Sequence, residues 1–225
     1  MTAQASAVKP YKGMGMEGGI ARWYAKLTHK ALEDFKKDAR RVSQMVPPAG
    51  KILEVAPGPG YFSIELAKLG DFRVTGLDIS ETFVEIARAN VAKAGVRVNF
   101  QRGNASGMPF DDAAFDFIFC RAAFKNFTEP VRALQEMCRV LNPGGQAMII
   151  DLRRDASRDA LSQAVQQMNL GIVNSLMTKA TFRFMLLKRA YTKAEFEQMI
   201  AQTPFATHEI RENLIGLEVL LNKGA

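Results

Sequence analysis

The sequence predicts an α/β fold built on a doubly wound, mostly parallel sheet of seven strands with helices on both faces. Between residues 51 and 152, five strand-length runs of β-branched and aromatic residues alternate with stretches of helical spacing. This alternation favours a parallel sheet joined by right-handed crossovers. Two further strand-like runs near the C-terminus have no helix-length segment between them, which predicts an antiparallel last strand. The runs in chain order are KILEVA, FRVTGLD, VRVNFQ, FDFIFC, GQAMIID, THEIRE and GLEVLLN.

Changes in texture divide the 225 residues into four parts, consistent with one domain that carries a small cap. A Gly- and Met-rich beginning leads into a helix from about Ile20, and a helical stretch follows the fifth strand. The predicted parts are N-terminal lid helices at 1–48, a ligand-binding core at 49–154, a helical cap at 155–190, and a C-terminal helix and strand hairpin at 191–225. The cap contains apolar side chains that form either an adaptable pocket wall or, more commonly for such stripes, helix core. These side chains are Met168, Met177, Phe182, Phe184 and Met185.

Composition indicates a soluble globular protein, with 48% hydrophobic and 24% charged residues. It excludes a disordered chain, a collagen-like repeat and a disulfide scaffold. The two cysteines, Cys120 and Cys138, make neither a metal quartet nor a disulfide framework, so no metal is expected and a reducing cytoplasm is the expected compartment. The sequence shows no run of about 18 uncharged apolar residues and no apolar leader at its start, so no membrane span is expected. The first 50 residues carry nine Lys+Arg against four Asp+Glu; this excess indicates an anionic partner or, more commonly, a solvated helix face.

The strongest chemical signal is the turn after the first strand-like run. Gly58 and Gly60 allow a sharp turn and the close approach of a ligand, and the helix that starts near Tyr61 offers it unpaired N–H groups. Asp78 ends the second strand, twenty residues after Gly58, where a carboxylate can accept hydrogen bonds from a ribose diol. Turn, helix and acidic strand end together predict a cofactor that contains a nucleoside.

Two cofactor classes fit this signal. A dinucleotide site would show G-x-G-x-x-G, but Ser63 stands at the third glycine position, and none of the four tyrosines begins the Tyr-x-x-x-Lys pair of a short-chain dehydrogenase. The chain is also short for a separate substrate domain. A nicotinamide-dependent oxidoreductase therefore stays the alternative to a second class of cofactor.

From Ile52 onward the sequence resembles the class I S-adenosylmethionine-dependent methyltransferases, with the ubiquinone/menaquinone C-methyltransferases as the most similar branch. ILEVAPGPGYFSIELAK is similar to the family motif hh(D/E)hGxGxG, and VTGLDIS to its second motif. GNASGMPFDDAAFDFIFC resembles the segment written GDA…LPF…FD, and RVLNPGG the turn into the fifth strand. The likeness covers about residues 50–152 well and 190–222 loosely. It implies a Rossmann-like methyltransferase fold, S-adenosylmethionine as cofactor and a helical lid.

The resemblance also implies roles for individual residues. Glu54 would order the glycine turn, Asp78 would hold the ribose hydroxyls, and Asn104 would read the adenine edge. The residues assigned to the cofactor are Tyr24, Glu54, Ala56, Gly58, Gly60, Asp78, Ile79, Asn104, Ala105 and Arg121, and those assigned to the substrate pocket are Tyr11, His29, Lys125, Asn126 and Arg153. Three positions depart from the family: Ala56 replaces a usual Gly, Asn104 a usual Asp, and Lys125-Asn126 stands where many relatives show a His pair.

The expected activity is methyl transfer, mainly by positioning, to a small, partly apolar molecule with an anionic or phenolic group. No catalytic residue is identified, and a monomer or a homodimer is expected. Nucleic acid is a less favoured partner, because the Asn/Asp-Pro-Pro-aromatic motif of base-nitrogen methyltransferases is missing at Cys120-Arg121-Ala122-Ala123. An RNA or protein methyltransferase and a non-catalytic regulator that binds the cofactor remain alternatives.

Overall fold

The computed structural model describes residues 11–12, 15–167 and 186–225. Seven strands form one sheet in the order β3-β2-β1-β4-β5-β7-β6. Strand β7 runs antiparallel to both of its neighbours, and the other strands run parallel to one another. The strands are β1 Lys51–Val55, β2 Arg73–Asp78, β3 Val98–Arg102, β4 Phe115–Arg121, β5 Leu141–Leu152, β6 Thr207–Glu212 and β7 Gly216–Asn222.

Seven α-helices lie within the described residues, with one-turn 3₁₀ segments at His29–Ala31, Phe124–Asn126 and Leu187–Arg189. The helices are α1 Gly18–Thr28, α2 Leu32–Ser43, α3 Tyr61–Ala67, α4 Glu81–Ala94, α5 Pro130–Val140, α6 Arg158–Gln167 and α7 Lys193–Ile200. None of these helices has the length and apolar composition needed to cross a bilayer.

The sheet buries both of its faces because neighbouring residues of each parallel strand point to opposite sides. On one face Ile52 packs with Phe62 and Leu66 of α3 and with Val42 of α2. On the other face Leu53 packs in a core to which α5, α7 and β7 also contribute. Helix α4 covers Phe100 of β3 through Val84 and Ala87.

Local chemistry fixes where the helices begin. At α4 the Ser80 side chain accepts a hydrogen bond from the Phe83 N–H, and the helix ends at Gly95 in the left-handed conformation. At α7 Thr192 and Glu195 form a capping box. Because β1 to β5 run parallel, their carboxyl ends and the loops that follow them lie on one edge of the sheet.

The predicted fold class is confirmed, including all seven strands and the antiparallel last strand. One bound differs: α1 begins at Gly18 rather than near Ile20. The Met and Phe side chains of the predicted cap, Met168 to Met185, lie outside the described residues. The four-part division of the chain stays a prediction.

Candidate functional site

The turn between β1 and α3 adopts left-handed backbone conformations at three of its five residues. Ala56, Gly58 and Gly60 have φ values of +57°, +54° and +78°. A Cβ on Gly60 would lie 2.6 Å from the Phe100 ring, whereas a Cβ on Gly58 would meet no atom within 4 Å. Gly60 is therefore required by packing, and Gly58 faces open space that a ligand can enter.

Asp78 joins this turn to the end of β2. Its carboxylate accepts hydrogen bonds from the Gly58 N–H at 2.9 Å and from the Ser80 N–H at 2.9 Å, and the residue is only 5% exposed. Burial raises the pKa of Asp78 to about 6, although the backbone hydrogen bonds act in the opposite direction. Each oxygen holds one backbone donor and keeps acceptor capacity, so the carboxylate can still bind the hydroxyls of a ribose.

Glu54 lies inside the protein beneath the same turn. Its carboxylate accepts hydrogen bonds from both the N–H and the hydroxyl of Ser63, in the first turn of α3. Burial raises the pKa of Glu54 to about 7. The glutamate thus ties the start of α3 to β1, which agrees with the expected role of ordering the turn. Its contact with a cofactor stays a prediction.

The described residues before α2 cover the carboxyl edge of the sheet. The Ser80 hydroxyl donates to the Met16 carbonyl at 2.6 Å, and the Glu17 carboxylate accepts from the N–H groups of Glu81 and Thr82 at 3.0 Å. The Tyr61 hydroxyl donates to the Ala25 carbonyl at 3.0 Å. These contacts fix α1 over the glycine turn and the start of α4.

Two tyrosines of this covering segment lie near the acidic strand ends. Burial raises the pKa of Tyr11 to about 12 and also raises the pKa of Tyr24. The negative charges of Asp78 and Asp151 act on both phenols in the same direction. Tyr11, Tyr24, Asp78 and Asp151 therefore lie within electrostatic reach of one another, and we call these four side chains the lid cluster.

Asp151, at the β5 end of the lid cluster, belongs to a buried ion pair with Lys125. The Lys125 ammonium donates to the Asp151 carboxylate at 2.8 Å and also to the Ala122 carbonyl, and the Lys125 N–H donates to the same carboxylate at 2.8 Å. Both side chains are less than 5% exposed. Next to them, the side-chain oxygen of Asn126 is buried without a hydrogen-bond partner. A buried amide oxygen in this state suits a ligand that donates a hydrogen bond.

Arg121, a residue predicted to contact the cofactor, has partners within the protein. Arg121 at the end of β4 pairs with Asp38 of α2 and with Asp34 at 3.8 Å, and it lies over the Phe35 ring. Burial raises the pKa of Asp38 against the effect of Arg121. Arg121 thus connects α2 to the sheet.

Two residues predicted for the substrate pocket, His29 and Arg153, also contact other side chains. His29 is exposed and packs edge-on against the Tyr61 ring at 5.4 Å. Arg153 pairs with Asp155 at 2.8 Å and with Glu212 at 3.2 Å. Their assignment to the substrate pocket stays a prediction.

The predicted adenine-side residues lie at the ends of β2 and β3. The Asn104 side-chain oxygen accepts from the Ser106 N–H at 3.0 Å, which forms a turn after β3 and leaves its NH₂ group available. Ala105 is buried and packs in the main core, and Ile79 is half-buried directly after Asp78. Their predicted contacts with a cofactor remain predictions.

Sequence reasoning missed Asp151, Asp38 and Ser63. Asp151 stands near the end of β5 as Asp78 stands at the end of β2, so the same rule of an acidic residue at the carboxyl end of a strand could have found it. Asp38 and Ser63 carry no such signal, because their partners lie on distant elements.

The candidate site lies where the strand order of the sheet reverses. The strand order reverses between β1 and β4, and ligands of open α/β sheets bind at such a switch point, outside the carboxyl ends of the strands. Here that place holds a glycine turn at a helix N-terminus, an acidic strand end and a covering helix. The molecule is an α/β protein with a site for a nucleoside-containing cofactor.

Comparison with known proteins gives the family. The model described as "Methyltransferase domain" matches residues 52–145. The demethylmenaquinone methyltransferase of Chlorobaculum parvum is 31% identical over 165 residues, which are 71% of this chain and 67% of the relative. The demethylmenaquinone methyltransferase of Deinococcus radiodurans is 33% identical over 108 residues, 48% of this chain and 45% of the relative. The chain spans about half the length of several curated relatives that it matches.

The fold has a solved counterpart in a putative S-adenosyl-L-methionine-dependent methyltransferase from Methanococcus maripaludis. It superposes with a TM-score of 0.75 over 95% of this chain and 96% of the other at 21% identity, a likeness of fold. The chain belongs to the class I S-adenosylmethionine-dependent methyltransferases, in the branch that resembles the ubiquinone/menaquinone C-methyltransferases. S-adenosylmethionine is the cofactor of this family, and the open space at Gly58 and the acceptor capacity of Asp78 fit it.

Proposed function

We propose that the protein transfers the methyl group of S-adenosylmethionine to a small, partly apolar molecule that carries a phenolic, quinone-type or acidic oxygen. The carrying observation is the lid cluster, in which two half-buried phenols and two acidic strand ends interact, one of them, Asp78, bound to the glycine turn. The relatives named demethylmenaquinone methyltransferase support an aromatic acceptor of the quinone type.

The cofactor would be held by residues whose geometry is already set. Asp78 would accept the ribose hydroxyls, Gly58 would allow the backbone to approach the cofactor, and Asn104 would offer its NH₂ group to the adenine. Glu54 would act indirectly, because its hydrogen bonds to Ser63 orient the first turn of α3. Arg121 would hold α2 against the site through Asp38 rather than contact the cofactor.

S-adenosylmethionine supplies an already activated methyl group, so the protein's task is to orient the acceptor and exclude water. Tyr11 and Tyr24 are protonated at neutral pH, as phenols ordinarily are, so their hydroxyls would donate hydrogen bonds to an acceptor oxygen. The unpartnered oxygen of Asn126 accepts a hydrogen bond from an acceptor hydroxyl. These contacts would position the acceptor beside the methyl group.

The test is a turnover assay with a panel of acceptors. The purified protein would be incubated with S-adenosylmethionine and, in turn, a short-tailed demethylmenaquinone analogue, simple phenols, aromatic acids, RNA and a protein mixture. Formation of S-adenosylhomocysteine and of a product heavier by one methyl group would be followed by mass spectrometry. The proposal expects turnover with an aromatic small molecule.

Turnover with RNA or protein alone would contradict the proposed acceptor class. Cofactor binding without turnover on any acceptor would instead favour a non-catalytic regulator. A Tyr24→Phe variant separates positioning from binding: it should lower turnover about tenfold or more while leaving cofactor affinity nearly unchanged. Equal turnover in the variant would remove Tyr24 from the mechanism.

A further inference from the structure

Helix α1 presents three large apolar side chains to solvent. Ile20, Trp23 and Leu27 are 38%, 63% and 46% exposed, and they are three of only five large apolar side chains that are exposed in the described part of the chain. Their spacing of three and four residues places them on one side of the helix. We call these three residues the outer ridge.

A positively charged stripe runs beside the outer ridge. Arg22 and Lys26 are exposed on the neighbouring side of α1, and Lys30 follows in the 3₁₀ turn after the helix. The sequence contains no acidic residue between Gly18 and Ala31. The helix therefore combines an exposed tryptophan-containing apolar side with a purely cationic polar side, which is the pattern of helices that lie in a lipid interface.

The outer ridge is held away from the protein body. Ala21 and Ala25, on the opposite side of α1, are 0% and 7% exposed. The Gly18 N–H donates to the Thr82 hydroxyl at 3.0 Å, and the Ala25 carbonyl accepts from Tyr61. Rotation of α1 that would bury Trp23 would break these contacts and expose the buried alanines.

We propose that the outer ridge and its cationic stripe dock on the surface of an anionic lipid bilayer. Trp23 and Leu27 would enter the boundary between headgroups and acyl chains, while Arg22 and Lys26 would contact the negative headgroups. Charge complementarity selects this occupant over a second copy of the chain, because a two-fold contact through the ridge would bring two cationic stripes into one interface.

Docking in this orientation would bring Tyr24, a member of the lid cluster, close to the bilayer. Tyr24 lies between the outer ridge and the buried side of α1, and its ring packs edge-on against Phe83 at 5.9 Å. An apolar acceptor dissolved in the bilayer would approach the lid cluster beside this tyrosine. This consequence rests on the proposed function, whereas bilayer binding itself does not.

Trp23 is the only tryptophan of the chain, so its fluorescence reports the environment of the outer ridge directly. The full chain would be titrated with vesicles of phosphatidylcholine and with vesicles of equal parts phosphatidylcholine and phosphatidylglycerol. The proposal expects a blue shift of the emission and co-sedimentation with the anionic vesicles, weakened by salt. No shift with anionic vesicles, or equal affinity for both kinds, would overturn it.

Matched variants test the ridge and the stripe separately. Leu27→Ala should weaken vesicle binding about tenfold, whereas Leu69→Ala, which changes an equally exposed leucine (46%) in the loop after α3, should not. The double variant Arg22→Gln/Lys26→Gln should weaken binding to anionic vesicles roughly thirtyfold. Lys93→Gln/Arg97→Gln, at exposed sites near the end of α4, is its charge control.

Two readouts keep this test separate from the methyl transfer proposal. Calorimetric affinity for S-adenosylmethionine should be the same in the Leu27 and Leu69 variants, so vesicle binding can fail while the cofactor site is intact. Analytical ultracentrifugation without lipid would show whether Leu27→Ala abolishes self-association instead. A dimer lost in that variant would assign the outer ridge to a second copy of the chain and contradict the lipid proposal.

Discussion

Replacing Glu54 by glutamine should stabilise the protein above neutral pH, although the change removes a hydrogen-bonded carboxylate from the interior. Burial raises the pKa of Glu54 from 4.5 to about 7 in the folded protein. This difference in pKa between the unfolded and folded protein means that burial disfavours the ionised carboxylate by about 3 kcal/mol relative to the protonated form. Glutamine still accepts a hydrogen bond from Ser63, but its buried NH₂ group costs about 1 kcal/mol. The net gain is about 2 kcal/mol once the wild-type carboxyl is ionised.

The sign follows from proton linkage. Since the folded-state pKa of Glu54 lies above the unfolded value, the folded protein binds more protons between about pH 4.5 and 7, and wild-type stability falls as pH rises through this window. Below about pH 4.5 the variant should be about 1 kcal/mol less stable, and above about pH 8 more stable, than the wild type.

Urea denaturation followed by circular dichroism at several pH values measures this crossing. Glu85→Gln, at an exposed position of α4, is the matched control and should show no crossing. A difference between wild type and the Glu54 variant that stays constant from pH 5 to pH 8 would refute the reasoning. So would a wild type that gains stability over the variant as pH rises.

The remaining predictions concern the glycine turn, the buried ion pair and Asp78. Gly60→Ala should destabilise the protein by about 2 kcal/mol or more in thermal melts, because its φ is positive and a Cβ would clash with the Phe100 ring. Gly58→Ala should lower the free energy of unfolding by only about 1 kcal/mol and yet weaken cofactor binding. Lys125→Met should destabilise the protein by about 3–5 kcal/mol in thermal melts, because it leaves a buried charge unpaired. Adding Asp151→Asn should restore part of the melting temperature, because asparagine removes the charge and still accepts from the Lys125 N–H. Affinity for S-adenosylmethionine, measured by calorimetry, should rise as pH increases through about 6, because the carboxylate form of Asp78 is the better acceptor for ribose hydroxyls; a flat profile would argue against this carboxyl.

Periodicity and turn chemistry are enough to predict the sheet and its ligand edge. Each strand from Lys51 to Leu152 can be predicted from a run of β-branched or aromatic residues. The glycine turn directly follows the first of these runs, and Asp78 ends the second. Because these features depend only on residues near one another in the chain, a single sequence is enough to predict them.

The partners of the charged residues could not be predicted in the same way. Lys125 meets Asp151 only because β4 and β5 are neighbours in register, and Arg121 meets Asp38 only because α2 docks on the sheet. The amphipathic pattern of α1 likewise shows an apolar side, but which side faces solvent depends on the contacts of Ala21 and Ala25 with the body.

A calorimetric titration with S-adenosylmethionine measures whether this cofactor binds at the site that contains Asp78. We expect one site per chain for S-adenosylmethionine and S-adenosylhomocysteine, with no binding of NADH or NADPH. Asp78→Ala should weaken the binding at least a hundredfold, since it removes charge-assisted hydrogen bonds to the ribose, while Asp71→Ala, at the opposite end of β2, should leave it unchanged. Binding of a nicotinamide cofactor alone, or undiminished S-adenosylmethionine binding by a folded Asp78→Ala variant, would contradict the account.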